Sequence, residues 1–136
     1  MDFEDARAAI FARIDTGWSA AYPTEPAEYE NRRTVDRNAH PGPFLAVEVV
    51  FADGEQAELG TDPMIRYPGA IYCVVYVRPG AGTATGLARQ GYLATLLGVK
   101  QFGGVNTLAP KPVPGHDVPG WYRHILRVPF FFHSKP

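Results

Sequence analysis

Residues 67–104 read YPGAIYCVVYVRPGAGTATGLARQGYLATLLGVKQFGG, and this stretch decides the fold. Residues 70–77 are apolar at almost every position, which is typical of a strand covered on both faces. Pro79 and Gly80 then predict a tight turn, and residues 83–100 predict a helix. The stretch therefore indicates the core unit of a small mixed domain, and nothing in it indicates catalysis.

The predicted helix over residues 83–100 contains three glycines. Gly86, Gly91 and Gly98 each weaken a helix by about 1 kcal/mol relative to alanine. We interpret them as a sign that the helix lies close to the sheet. The small residues that would allow this approach are Ala84, Ala88, Gly91 and Thr95.

Before this unit, residues 44–52 alternate between apolar and other side chains, which predicts a strand. Asp53 and Gly54 predict a type I′ turn, because both central residues of that turn need positive φ. A weaker return strand should follow over residues 56–60, and the central strand should span residues 64–77.

An amphipathic helix is predicted at the N-terminus. Phe3, Ile10, Ile14 and Trp18 recur on one side at helical spacing. Asp2 suits the N-cap position, and Gly17 suits a left-handed exit from the helix. Trp18 is therefore expected to be a core residue.

The last predicted strand covers residues 121–132 and places His124 on its apolar face, with Arg123 and Arg127 on the other. Pro129 suggests an edge position or a strand end, because proline cannot donate to a ladder. A further short strand is possible near residues 105–108. The expected fold is a single α+β domain over residues 1–136. It has one mixed, mainly antiparallel sheet of about four strands with two helices packed on it, in the order α-β-β-β-α-β.

The charge balance limits the function classes. The chain has 13 basic and 14 acidic residues and a net charge of −1. It therefore lacks the basic excess needed to bind nucleic acid over its whole surface. No apolar stretch is long enough to span a membrane, and charges throughout the first residues are unlike a signal peptide. We expect a location in the cytoplasm.

No catalytic, metal or cofactor site emerges from the motifs. Cys73 lies in the apolar central strand, where a free thiol behaves as a small hydrophobe. Residues 79–86 follow a strand and precede a helix but lack the lysine of a phosphate loop. His116 and Asp117 are the nearest approach to a ligand pair, and a zinc site needs three or four ligands. We expect no enzyme activity and no cofactor.

Two irregular segments are candidates for protein contacts. Residues 19–43 carry a basic arm that could dock on an acidic neighbour or be solvated surface. Residues 110–119 form a proline-rich loop. Its prolines reduce the conformational entropy that the loop would lose when it becomes ordered on a partner. The candidate interface residues are Arg32, Arg33, Arg37 and His40 in the arm, His116 and Asp117 in the late loop, and Arg123 and Arg127 on the last strand.

The order of several short motifs is informative as a set. The first half contains Trp18 at the end of the first helix, Glu30-Asn31 after a proline-containing stretch, and Pro43, Val47 and Val49 in a strand. The second half contains residues 66–69 (RYPG), residues 78–82 (RPGAG), residues 120–121 (GW) and residues 128–130 (VPF).

In this order of motifs the chain resembles the tail-terminator family of phages and prophages, which is similar to the lambdoid minor tail protein that caps the tail tube. It also resembles a phage-related family with the same layout. The resemblance implies a structural protein, six copies of which form a ring on the last tube hexamer. Such a ring stops tube polymerisation and forms the interface with the head-tail connector. The implied partners are other copies of the chain, the tube protein and the connector protein, without any need for nucleic acid or membrane. The implied location is the host cytoplasm during assembly and then the virion tail.

Two alternatives remain open at the level of sequence. A head-tail completion or neck protein would share a small α/β fold and ring assembly. A small-ligand binder or enzyme would use an apolar pocket beside His124 or His116.

Overall fold

The computed structural model of the chain describes residues 1–60, 63–80 and 82–134. Within these residues, two helices, each followed by four strands, form a single α+β arrangement. In chain order the elements are α1 (Phe3–Ala21), β1 (Ala27–Tyr29), β2 (Phe44–Phe51), β3 (Glu55–Gln56), β4 (Ile65–Val77), α2 (Thr83–Leu97), β5 (Gln101–Phe102), β6 (Val105–Thr107), β7 (Lys111–Val118) and β8 (Trp121–Ser134).

The strands form one sheet in the order β1-β2-β4-β8-β6-β5, with β3 added to β4 and β7 added to β8. β1 and β2 are parallel, and the other paired strands are antiparallel. The expected sheet of about four strands, in the order α-β-β-β-α-β, is therefore wrong. Four of the eight strands contain only two or three residues, which is too short to show an alternating pattern in the sequence.

The predicted hairpin at Asp53 and Gly54 is also wrong. Neither residue has positive φ, and β3 pairs with β4 instead of β2. The amide of Ala52 donates to the carbonyl of Pro68 over 2.9 Å, so the chain leaving β2 continues beside β4. Backbone pairing along β4 therefore replaces the return onto β2.

The proline-rich segment forms an edge strand and not a loop. β7 pairs with β8 from Lys111 opposite Arg127 to Val118 opposite Trp121, with an irregularity between Val113 and His116. Prolines fit here because an edge strand needs donors on one side only. Because prolines are rare in strands, the same residues favour a loop when only the sequence is considered.

Pro129 lies inside β8 and not at a strand end, which corrects the expectation from sequence. It stands opposite Ala70 of β4, and its carbonyl accepts a hydrogen bond from the amide of Leu108. The N and C=O of one residue point to the same side of a strand, so the missing donor of Pro129 faces away from β4. On that side β7 ends and β6 begins, so little of the ladder is lost.

α1 and α2 cover one face of the sheet. Ile10, Ile14 and Trp18 are buried as predicted, and Asp2 forms a capping box with Asp5. The helix continues to Ala21, past the exit expected at Gly17. A Cβ at Gly17 would lie 2.7 Å from Cδ2 of Leu96 in α2, so this glycine allows the helices to approach closely.

α2 lies on the sheet through a different side than the sequence suggested. Ala84, Ala88, Gly91 and Thr95 are all exposed. Gly86 is buried instead, and a Cβ there would lie 2.1 Å from Cδ2 of His124. The idea that a glycine allows close approach therefore holds for Gly86 and fails for Gly91. Neither α1 nor α2 is sufficiently long and apolar to cross a bilayer, and the described parts of the chain contain no other helix.

Candidate functional site: an arginine groove on the outer sheet face

The face of the sheet opposite the helices, here called the outer face, is only partly covered. The segment after β1, residues 30–43, folds over one end of it. Glu28 of β1 fastens this segment: its carboxylate accepts hydrogen bonds from the amides of Thr34 and Val35, both over 2.9 Å, and from Nη2 of Arg37 over 2.5 Å. The predicted basic arm is therefore bound to the sheet.

Glu28 is held in its charged form. The residue is 4% exposed, and burial alone would raise the pKa of its carboxyl group. The amides of Val35 and Thr34 and the guanidinium of Arg37 outweigh burial and lower the pKa below its ordinary value. Arg37 is thus a structural residue, and the other arginines of the arm remain candidates for contacts.

A second fastening involves the backbone of Arg37. Trp121, the first residue of β8, donates from Nε1 to the carbonyl of Arg37 over 3.0 Å. Phe44 and Tyr76 stack with ring centroids 4.5 Å apart, and Trp121 meets Phe44 edge-on at 5.0 Å. This aromatic cluster closes one end of the outer face.

Between the fastened segment and the sheet lies a groove of about 760 Å³. Its floor is formed by partly buried residues of β2 and β4, among them Ala46, Val74 and Tyr76. We call it the arginine groove, because its lining includes Arg32, Arg33, Arg37 and Arg123 beside the carboxylates Glu28, Glu30 and Glu48. Half of the eight interface residues proposed from sequence thus come together in one place.

Arginines on this face differ from those elsewhere in the chain. Most arginine side chains of the described residues contact a carboxylate, a carbonyl or an aromatic ring. They are Arg7, Arg13, Arg37, Arg66, Arg78 and Arg89. Within the described residues, four have no hydrogen bond, ion pair or ring contact from their guanidinium, namely Arg32, Arg33, Arg123 and Arg127. All four lie in the groove or on the outer face beside it.

Arg127 lies on the outer face in a cross-strand row with Glu48, Tyr72 and Lys111, which stand in register on β2, β4 and β7. Arg123 lies two rows away on the same face, opposite Tyr76 and His116. The outer face therefore combines unpaired positive charges with tyrosine rings, and arginine and tyrosine are enriched in protein interfaces.

The remaining interface candidates lie outside the groove. His40 packs its ring against Phe44, and its carbonyl accepts from Arg78 over 2.6 Å. His116 and Asp117 are exposed on β7 and stand opposite Arg123 and Tyr122 of β8. Within residues 1–60, 63–80 and 82–134, no three His, Cys, Asp or Glu side chains are grouped as a metal site would need.

A second, smaller groove of about 340 Å³ lies between the start of α2, β7 and β8. His124 contributes to its wall and is 7% exposed. Its Nε2 has no hydrogen-bond partner and lies close to Gly86 of α2, where a Cβ would be 2.2 Å from this atom. Burial lowers the pKa of the imidazole below its ordinary value and so favours its neutral form. The polar side chains of its lining are Thr83, Gln90, Tyr122 and His124.

Cys73 is fully buried in the core. Burial raises the pKa of its thiol to about 12. Since the thiolate is the nucleophile, this thiol is not poised for chemistry near neutral pH, which confirms the interpretation as a core residue.

Sequence reasoning missed Glu28, Arg78 and the tyrosines of the groove floor. Tyr72, Val74 and Tyr76 alternate at the period of a strand, which was the available signal for a face distinct from the core. Nothing local to Glu28 indicates that it binds residues six to nine positions further along.

No family model matches the chain, and no curated protein matches it. Chains of solved structures do match. One of them, whose name states no function, superposes with a TM-score of 0.75 at 18% sequence identity, over 100% of this chain and 99% of that chain. At this identity the likeness shows that the fold is shared, and it shows nothing of the function.

Proposed function

We propose that this protein is a structural subunit of a phage or prophage tail, which caps the tail tube as a ring of six copies and forms the interface with the head-tail connector. The order of sequence motifs supports the proposal through the resemblance described above. The observation that carries it in the structure is the collection of unpaired arginines on one open sheet face.

Such a face suits binding to other proteins better than catalysis. Arg123 and Arg127 project from a rigid strand beside Tyr72 and Tyr76, so the surface is ordered before a partner arrives. A preorganised surface loses less entropy on binding. We assign Arg127 to the contact with the tail tube, because it is the unpaired arginine that lies outside the arginine groove.

Electron microscopy of tails made without this gene tests the proposal. We expect over-long tubes that lack heads, because nothing stops polymerisation. Tails of normal length that fail to join heads would contradict termination and indicate a neck protein. Normal virions would contradict any role in the tail.

Complementation of the deletion then tests the tube contact. Arg127→Glu reverses one unpaired charge and should fail to restore normal tail length, since like charges placed across an interface are strongly unfavourable. Lys100→Glu is the matched control. It reverses one exposed charge in the turn between α2 and β5 and should complement fully. Equal complementation by both variants would remove Arg127 from the tube contact.

A further inference from the structure

The arginine groove has a complement elsewhere on the same chain. Residues 52–60 read ADGEQAELG, and every one of them is exposed. We call this segment the acidic arm, because it carries Asp53, Glu55 and Glu58 and no basic residue. It leaves the end of β2 and runs beside β4, which it pairs through the two residues of β3 and through the amide of Ala52, a donor to the carbonyl of Pro68.

Two carboxylates of the acidic arm are free. Asp53 and Glu55 have no hydrogen bond or ion pair within the described residues, whereas Glu58 accepts from the amide of Met64 over 2.9 Å. Arg66 stands opposite Glu55 in the β3–β4 register, but its guanidinium lies over the ring of Phe131 at 4.9 Å. The arm therefore presents negative charge that its own molecule does not neutralise.

The arm also presents an apolar side chain. Leu59 is 95% exposed, and the floor of the arginine groove has apolar and aromatic surface from Ala46, Val74 and Tyr76. An acidic segment with one apolar side chain thus matches a groove in which three arginines (Arg32, Arg33 and Arg123) are unpaired and the floor is partly apolar. Both electrostatic and apolar complementarity are features of specific interfaces.

We infer that the acidic arm of one copy of this chain binds in the arginine groove of the next copy. Asp53 and Glu55 pair with Arg32, Arg33 and Arg123, and Leu59 packs on the groove floor. The inference rests on the proposed ring and specifies its subunit contact. Because two different surfaces of the chain meet, the contact is heterologous, which is the type that closes into a ring.

Cross-linking between differently labelled copies tests the contact directly. Arg33→Lys places an amine in the groove, and a carbodiimide joins an amine to a carboxylate that it touches. In a mixture of ¹⁵N-labelled and unlabelled protein, we expect mixed-isotope peptides linking Lys at position 33 to Asp53 or Glu55. Adding Leu59→Ser or Arg123→Glu should lower their yield about tenfold, as a loss of one good contact does.

Arg66→Lys provides the control for the chemistry. It stands beside Glu55 of its own chain, so its cross-links to Glu55 should carry a single isotope. If the links of Arg33→Lys also carry a single isotope, the arm binds its own groove and the inference is overturned. An absence of such links, with the control intact, overturns it as well.

Charge exchange tests the contact during assembly. One variant reverses the groove (Arg32→Glu with Arg33→Glu), and another reverses the arm (Asp53→Lys with Glu55→Lys). Each alone should fail to restore tail length in the deletion strain, and the two expressed together should restore it, because each arm then meets a groove of opposite charge. Failure of the pair while the wild-type gene complements overturns the arm contact and leaves the proposed function standing. Failure of the wild-type gene to affect tail length overturns the proposed function, and the cross-linking result remains valid.

Nucleic acid is the competing occupant of an arginine-lined groove. Fluorescence polarisation with a labelled DNA oligonucleotide should show no binding that depends on Arg32 and Arg33 at physiological salt. Salt-dependent binding that Arg32→Glu with Arg33→Glu abolishes would assign the groove to phosphates and overturn the inference.

Discussion

The guanidinium carbon of Arg78 lies 3.8 Å from the centroid of the Trp121 ring, while the same side chain donates to the carbonyls of Arg37, His40 and Gly120. One residue at the end of β4 thus joins the segment over the outer face to the start of β8. The shape of the arginine groove depends on this junction.

Arg78→Lys should therefore destabilise the protein by about 2 kcal/mol, because lysine cannot reproduce a planar fork that stacks and donates to several carbonyls. Urea denaturation followed by circular dichroism measures the change. Arg66→Lys, at an exposed position within β4, should change stability by no more than about 0.5 kcal/mol. Equal effects of the two substitutions would show that the junction is not structural.

Glu28→Gln should cost about 3 kcal/mol, since it leaves the partly buried Arg37 without its counter-charge. Because the folded-state pKa of Glu28 lies below its ordinary value, its contribution is present above pH 4.5 and is lost as the pH falls through the lower folded value. The free energy of unfolding of the wild type should thus decline in acid more steeply than that of the variant. Parallel pH profiles would contradict the role of Glu28.

His124→Phe should remove a pH dependence near neutrality. Burial lowers the folded-state pKa of His124, so the unfolded chain takes up a proton first and stability falls as the pH drops below about 6.5. The imidazole lies beside Gly86 of α2, and its ring centroid is 5.0 Å from that of Tyr122. Denaturation at pH 7.5 and 5.5 should show a fall for the wild type and a smaller fall for the variant.

Gly86→Ala and Gly91→Ala form a matched pair within α2. A Cβ at Gly86 would lie 2.1 Å from the imidazole of His124, whereas one at Gly91 would meet no atom within 4 Å. We expect Gly86→Ala to destabilise by about 1–3 kcal/mol through overpacking and Gly91→Ala to stabilise by up to about 1 kcal/mol through helix propensity. Thermal unfolding distinguishes the two, and changes of the same sign would contradict the packing of α2 on β8.

Local patterns were sufficient for the longest elements. The helical spacing of Ile10, Ile14 and Trp18 predicted the buried side of α1, and Asp2 predicted its cap. The two-residue period of β8 placed His124 on the core face. In each case the signal extends over several turns or residue pairs, so burial of one face leaves a clear trace in the sequence.

Prediction failed where a partner distant in sequence decides the conformation. The amide of Ala52 donates to the carbonyl of Pro68, so Asp53 and Gly54 do not form a hairpin turn. Pairing with β8 turns the proline-rich segment into a strand. The arginine groove was not predicted: the charges of Arg32, Arg33, Arg37 and Arg123 indicate interface candidates, but nothing in the sequence indicates that the four residues meet.

The sequence by itself determined the α+β composition, the core sides of α1 and β8 and the burial of Cys73, because these follow from hydrophobic periodicity within single segments. Only the tertiary structure decided the eight-stranded sheet, the covered and open faces and the separation of structural from unpaired arginines. Those features depend on which backbone groups and which charges meet across long separations in the chain, and Glu28 with Arg37 is the clearest case. The charge pattern of a sequence does not show whether an arginine forms an ion pair with a carboxylate in the folded chain.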